Sequence, residues 1–548
     1  MDFKDDNKDV RDDILKDSVS GIKLYSILSG IMIATILISL DTSIIATAIP
    51  AITSQFNSAD DIAWYGAAYP LTMSALQPLS GKIAMIFSLR ASYLTFFAIF
   101  LLGSALCGAA KSSNMFIVGR AVAGIGGAGV VSSGLSVIAL VTPAAQRPLF
   151  TGLVTSLYAV GSVIAPLLGG AFTSNVSWRW CFYINLPAGA VTVTTLLLFF
   201  QPPKRDVQST NIWQKVKQLD LLGCAIFVSS IIMVFLALQW GGKDYAWNSA
   251  TIIGLFCGFG VLILTFILWE LHKGEDAMIP FKLLNGRSVI LSTIFAFLFM
   301  GSFIVPVYYL PEWFQIVQDV SPMRSGVMLL PSVTTQVFGA IVSGVLAKRV
   351  KYYNPWFFLG SSMLCIACGL YTTFEAANTA PGKWIGFQII QGLGCGFGAQ
   401  MALLTVQNVL MKCGRPEIIP VGISTVLFAQ YFGSSVMQAI SGSIFHNKLV
   451  DGLSSQAHLS ETDVSLLLRA GNLEVRKTAL EILPDRVDSI IGAYNDAITS
   501  IFYLAIATSA LAFVLSTGIE WTNIAPDNQK SEVQTEKSSQ QPSSEPKP

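Results

Sequence analysis

Arg120 and Asp41 are the residues whose types fit their surroundings least. Arg120 lies in GRAVAGIGGAGV and Asp41 in ILISLDTSIIATAIP, both long apolar runs. A charge inside a lipid-spanning helix is expensive and normally faces a bundle interior or a wet cavity. A carboxylate in that position must be neutral, paired or wetted. A carboxylate that loads and releases a proton beside a fixed cation would do the chemistry of proton coupling. Plainer readings stand beside this one. Arg120 could be tied to backbone carbonyls between helices, and Asp41 could bond Thr42 or Ser43 in helix packing.

A second pattern follows Arg147, which is read as part of a short loop. The run GLVTSLYAVGSVIAPLLGG carries Gly152, Gly161, Pro166, Gly169 and Gly170. Small residues let helices approach closely, and a proline inside a span bends it. The expected role is a seal or hinge against the other half of the molecule, with ordinary tight packing as the alternative. A third set suits a bulky, moderately polar organic ligand: Tyr69, Tyr158, Gln336, Gln400 and Gln430, with Glu312. Glu312 follows Pro311 among Tyr308, Tyr309, Trp313 and Phe314. It is either a ligand or titrating group or a solvated member of an interfacial aromatic belt. Each glutamine could equally make an interhelical hydrogen bond.

No enzymatic constellation appears. The three histidines, His272, His446 and His458, are scattered, and no phosphate-binding loop is present. Neither a cofactor nor a metal is expected. Cys365 and Cys368 form a C-x-x-C, read as two small apolar residues on one helix face.

The elements that must position these residues are membrane helices. The chain has 548 residues, 53% hydrophobic and only 12% charged, against about 25% charged for a soluble domain. A net charge of +1 gives no reason to expect a nucleic-acid partner. Apolar runs near 23–49, 63–86, 91–110, 115–140, 148–171, 180–200, 220–240, 250–269, 288–310, 324–347, 356–374, 384–411, 419–445 and 496–517 make fourteen spans. With the N-terminus in the cytoplasm, fifteen Lys and Arg from Lys82 to Arg415 fall in short inner loops. Only five fall in short outer ones: Lys111, Arg179, Lys243, Arg324 and Lys383. That bias supports an even count with both termini cytoplasmic.

The halves repeat. Gly124–Gly126 recurs as Gly392–Gly394 at an offset of 268, and Arg120 then aligns with Gln388. The expected organisation is a disordered tail (1–22), a six-helix half (23–200) and a linker with two extra helices (201–287). A second six-helix half (288–520) includes a long outer loop at 447–495, and a disordered tail (521–548) follows. Such repeats point to a secondary transporter with its site between the halves.

Several motifs also resemble a known family. Leu40–Pro50, the WYGAAYPLT run, Gly119–Arg120 with Gly124, Gly126 and Gly129, the fifth-span glycines, Trp178–Pro187 and Tyr308–Gln315 occur in order. Together they resemble the major facilitator superfamily over about residues 23–520, in particular its fourteen-span drug:proton antiporters and their fungal efflux pumps. The resemblance implies an all-α polytopic fold and a transporter rather than an enzyme. It implies proton-coupled export of a drug, mycotoxin or other secondary metabolite from the plasma membrane, by a monomer. It assigns coupling to Asp41 and Arg120. Uptake of an iron chelate, or exchange of basic amino acids at a vacuolar membrane, is the alternative within the same architecture. The chain departs from the family in two places. Ala165 precedes Pro166 where a glycine is usual. The loop after the second span reads GKIAMIFSLR, with Met85 where an aspartate is expected, so the usual aspartate latch is not carried over.

Overall fold

The structure, a computed structural model, describes residues 21–523 apart from 59–60, 144–145, 201–211, 243–244, 281–282, 284–285, 377–378 and 471–474. The predicted tails fall almost wholly outside the described residues, as does the start of the predicted linker. Among the described residues everything regular is helical, save two isolated bridges.

The first half contains α1 (Ile22–Ser43), α2 (Ile45–Phe56), α3 (Ile62–Ala75), α4 (Gln77–Ile86), α5 (Leu89–Gly108), α6 (Ser113–Val141), α7 (Arg147–Asn175) and α8 (Asn185–Phe199). A central hairpin follows: α9 (Leu221–Trp240) and α10 (Ala250–Lys273). The second half contains α11 (Arg287–Ile316), α12 (Leu330–Val350), α13 (Asn354–Tyr371), α14 (Pro381–Gly398), α15 (Met401–Lys412), α16 (Ile419–Ser455) and α17 (Val487–Ser516). Local chemistry sets the starts. Ser88, Ser112 and Ser249 each accept from a backbone N–H three residues on, capping α5, α6 and α10. Pro148 occupies the first turn of α7, where its missing N–H costs nothing. Arg147, predicted in the loop, is instead the first residue of this helix, and its Nε donates to the Thr142 carbonyl at 3.1 Å.

Among the described residues, twelve helices are long and apolar enough to cross a membrane. The other two predicted spans are present as helices that fall short for visible reasons. The second is interrupted at Leu76 into pieces of 14 and 10 residues, next to Pro78, which cannot donate to the helical ladder. The other, α13, has 18 residues and spends its first turn on Asn354 and Pro355. The predicted outer loop 447–495 is shorter than expected. Residues to Ser455 continue α16, those from Val487 belong to α17, and two short helices (Glu461–Ala470 and Val475–Ile482) lie between.

The repeat is visible in the packing. A Cβ on Gly126 would lie 2.5 Å from the Phe100 Cα, and one on Gly394 would lie 2.9 Å from the Leu364 nitrogen. Gly124 likewise presses on Tyr69 and Thr72, and Gly392 on Ser332 and Thr335. Equivalent glycines thus bring equivalent helices to backbone contact in both halves.

Both ends of the described chain lie at one face of the bundle. α1 and α7 run side by side, with Gly161 against Ser39 and Gly169 against Ile44, so Ile22 sits at the Arg147 end. Asn354 donates to the Ile519 carbonyl at 2.8 Å and Lys412 to the Asn523 carbonyl at 2.7 Å, which places the finish of α17 at that end too. Lys and Arg are concentrated here, and we call it the basic end.

Candidate functional site

Asp41 lies near the finish of α1, just before the break at Ile44, and Arg120 lies two turns into α6. The structure brings them together. Arg120 Nη1 donates to Asp41 Oδ2 at 2.7 Å and to the Asp41 carbonyl at 3.1 Å. Both side chains are fully excluded from solvent. Nε reaches the Tyr65 carbonyl at 3.4 Å, and the guanidinium sits over the Tyr69 ring, 4.7 Å from its centroid. The arginine therefore pairs with the carboxylate and touches backbone carbonyls at once. Neither Thr42 nor Ser43 is the carboxylate's partner. Thr42 instead donates back to the Ile38 carbonyl at 2.8 Å.

The sequence reasoning missed a third member, Asn185. Its Nδ2 donates to Asp41 Oδ1 at 3.1 Å and to Ser104 Oγ at 3.1 Å. Each carboxylate oxygen thus has its own donor, one charged and one neutral. Asn185 opens α8 at the end of WRWCFYINLP. A polar amide starting an otherwise apolar helix was the available signal. The amide should fix the carboxylate's rotation against Arg120. We expect Asn185→Ala to cost about 1.5–3 kcal/mol of stability, the worth of one hydrogen bond to a charged group. Asn185→Asp should be more damaging, since it sets a second carboxylate against the first. Melting temperatures of the two purified variants would check both.

All five contributing helices (α1, α3, α5, α6 and α8) belong to the first half. Tyr69 and Tyr158 lead from this centre towards the second half. Thr42 sits beside both phenols, and Tyr158 of α7 faces Tyr431 of α16. The remaining candidates do not join this group. Gln400 donates to Ser343 Oγ at 2.8 Å and to the Ala340 carbonyl at 3.3 Å. Gln430 donates to the Ala399 carbonyl at 3.1 Å. Both amides therefore tie helices of the second half together. Gln336 is buried on α12. Glu312 is half-buried on α11 beside Tyr308, Tyr309 and Tyr494.

The glycine helix divides in two. Gly152 meets the second half: a Cβ there would lie 2.9 Å from the Ala340 carbonyl oxygen and close to Gln400 Oε1. Gly161 and Gly169 instead pack on α1 and the α1–α2 break of their own half. Gly170 has nothing within 4 Å, and Pro166 is exposed. Contact with the other half, expected along the whole row, is therefore made at Gly152 alone. Two further glycines join the halves at the same end. A Cβ on Gly81 would lie 2.7 Å from the Pro420 carbonyl oxygen, and one on Gly344 would lie 2.7 Å from the Leu149 Cα.

A paired charge inside one helical half, and glycine contacts closing one end between halves, suit a carrier. Comparison with known proteins decides the family: residues 31–437 match the family model described as Major Facilitator Superfamily. The chain belongs to the major facilitator superfamily. It is 45% identical to the MFS-type transporter poxA of Penicillium oxalicum, over 92% of this chain and 90% of that protein. It is 41% identical to the MFS-type efflux pump MFS1 of Trichophyton rubrum (92% and 93% covered). To the efflux pump aflT of Aspergillus parasiticus it is 39% identical (92% and 97%). Among solved structures, the proton:xylose symporter XylE superposes with a TM-score of 0.59 at 12% identity, over 93% of this chain and 98% of that one. At that identity the likeness is one of fold. This facilitator is thus a multi-pass membrane transporter of small molecules and not an enzyme.

Proposed function

We propose that this facilitator exports a small organic compound, a drug or secondary metabolite, in exchange for protons. The observation that carries the reading is the buried Asp41–Arg120 pair, with Asn185 on the second carboxylate oxygen. A proton arriving at Asp41 cancels the ion pair, and its departure restores it. The group can therefore be in two charge states without leaving the protein. The path through Thr42, Tyr158 and Tyr431 carries that change to the junction of the halves. The efflux pumps among the relatives support an outward direction.

In this reading the fold has fourteen spans, two six-helix halves at 23–200 and 288–520, and the hairpin between them. The basic end and both termini face the cytoplasm, the transporter works as a monomer in the plasma membrane, and the halves rock about a central cavity. Tyr69, Tyr158, Glu312 and Gln336 face or flank the route of the cargo. An inward gradient supplies about 1.4 kcal/mol per pH unit and about 2.3 kcal/mol per charge per 100 mV, enough for uphill export without ATP.

Proteoliposomes loaded with a lipophilic fluorescent dye such as rhodamine 6G test this directly. An imposed pH gradient is expected to accelerate dye movement against its own gradient. Dye that moves at the same rate with and without the pH gradient would sink proton exchange.

A further inference from the structure

The central hairpin carries polar contacts that neither the coupling pair nor the cargo route uses. Lys82 lies on α4, one residue after Gly81, and only 2% of its surface is exposed. Its ammonium donates to the Ala277 carbonyl at 2.8 Å, in the segment that leaves α10. Asp276, Glu270 and Asp220 lie within electrostatic range of it without pairing directly. Glu270 in turn holds the same segment: its two oxygens accept from Met278 N–H at 3.0 Å and Ile279 N–H at 2.8 Å. Asp220, which adopts a left-handed backbone conformation, caps α9 at Gly223 and accepts from the Trp269 indole at 2.9 Å. The foot of the hairpin is thus tied across itself and onto α4.

The apolar packing goes further. Phe227 of α9 lies 4.9 Å from the Phe266 ring of α10 and 5.1 Å from the Phe428 ring of α16. The same cluster includes Ala75 and Met278. One hairpin therefore touches α3–α4 of the first half and α16 of the second. These are the helices that meet at Gly81, where a Cβ would collide with Ser424 and Pro420.

We propose that Lys82 is a positioning residue for the closed gate at the basic end, and that the hairpin acts as its brace. The ammonium seats α4 on the 274–279 segment while Glu270 keeps that segment in register. Opening the gate moves α4 away from α16 and must strain or break the Lys82–Ala277 bond. The brace thereby biases the transporter towards the state closed at this end. Met85 stands where the family's aspartate latch would be, and the brace supplies a different means of holding the same helix end. This inference rests on the alternating-access reading above for its place in the cycle, but the contact itself is tested without substrate.

The test is hydrogen–deuterium exchange on the purified full chain in lipid nanodiscs. Lys82→Met should speed amide exchange about tenfold in 274–280, the loss of one hydrogen bond to a charged group. It should do so to a similar degree in the gate segments 77–86 and 420–427, with the melting temperature unchanged. Lys82→Arg, which keeps the donors, should return all three to within about twofold of the parent. Glu270→Gln should reproduce the pattern although Glu270 contacts neither gate helix, and it substitutes for Lys82→Met if that variant does not fold. Faster exchange confined to 274–280, or none, overturns the brace. Failure of both variants to fold also overturns it, by making the contacts supports of the whole fold. Dye transport by the parent is measured separately. Its absence would sink the exporter reading while leaving the exchange result to decide the brace.

Discussion

Arg120→Gln is expected to yield a folded protein that no longer drives substrate uphill. Glutamine occupies the repeat-equivalent position, Gln388, where it is fully buried, so the fold tolerates that side chain at this depth. At 120 the change strips Asp41 of its cation and leaves Asn185 as its donor. Removing one member of a buried pair costs about 3–5 kcal/mol, and the carboxyl escapes most of that cost by keeping its proton. A carboxyl that never releases its proton cannot couple. Proton-driven transport should fall at least about a hundredfold, while downhill exchange, which needs no net proton release, persists. Asp41→Asn should lose coupling because its amide has no carboxyl proton to release, and it leaves the buried Arg120 cation unpaired.

The double variant separates chemistry from structure. With Asp41→Asn and Arg120→Gln together, no buried charge is stranded, so most of the melting temperature should return without any return of coupling. Coupling energies of this kind are measured by the cycle of single and double variants. Uphill transport by Arg120→Gln at the parental rate would show that this arginine only holds helices together.

What the sequence made legible, and what it did not, follows from the range of the forces involved. Apolar runs of bilayer length report their own fate, because burial in lipid depends on local composition alone. Helix positions were therefore readable to within a few residues, except where the chain had a reason to deviate. α16 runs on past residue 445 because no proline stops it and its one glycine there, Gly452, lies in the last turn, and the second span breaks where Pro78 interrupts it. Asp41 and Arg120 stood out because their cost is local. Asn185 did not, since an amide costs less and its value lies wholly in which carboxylate it meets. Gln400 and Gln430 looked like cavity residues for the same reason: sequence shows the donor but not the acceptor. The role of Lys82 depends on a segment about two hundred residues away (Lys82 to Ala277), and nothing within its own helix announces it.

The glycine helix gives the sharpest contrast between pattern and contact. Gly152 and Gly170 belong to one motif and look alike in the sequence. In the structure they differ completely. A Cβ at Gly152 would meet the Ala340 carbonyl oxygen at 2.9 Å and press on Gln400, whose amide is already held by Ser343 and Ala340. Neither neighbour is free to yield, because one is backbone and the other is pinned. Gly152→Ala should therefore cost about 1–3 kcal/mol in the state where the halves meet at the basic end. That bias corresponds to roughly 5- to 150-fold in the gate equilibrium and should appear as slower transport with little change in expression. Gly170→Ala adds a methyl to open space within a helix, where alanine is favoured over glycine by about 0.5–1 kcal/mol. Its melting temperature should hold or rise, and its transport should match the parent. Parallel rates of dye export for the two variants decide the point. Equal loss in both would mean that the row works as one flexing unit, and that the contact at Gly152 is not what makes its first glycine necessary.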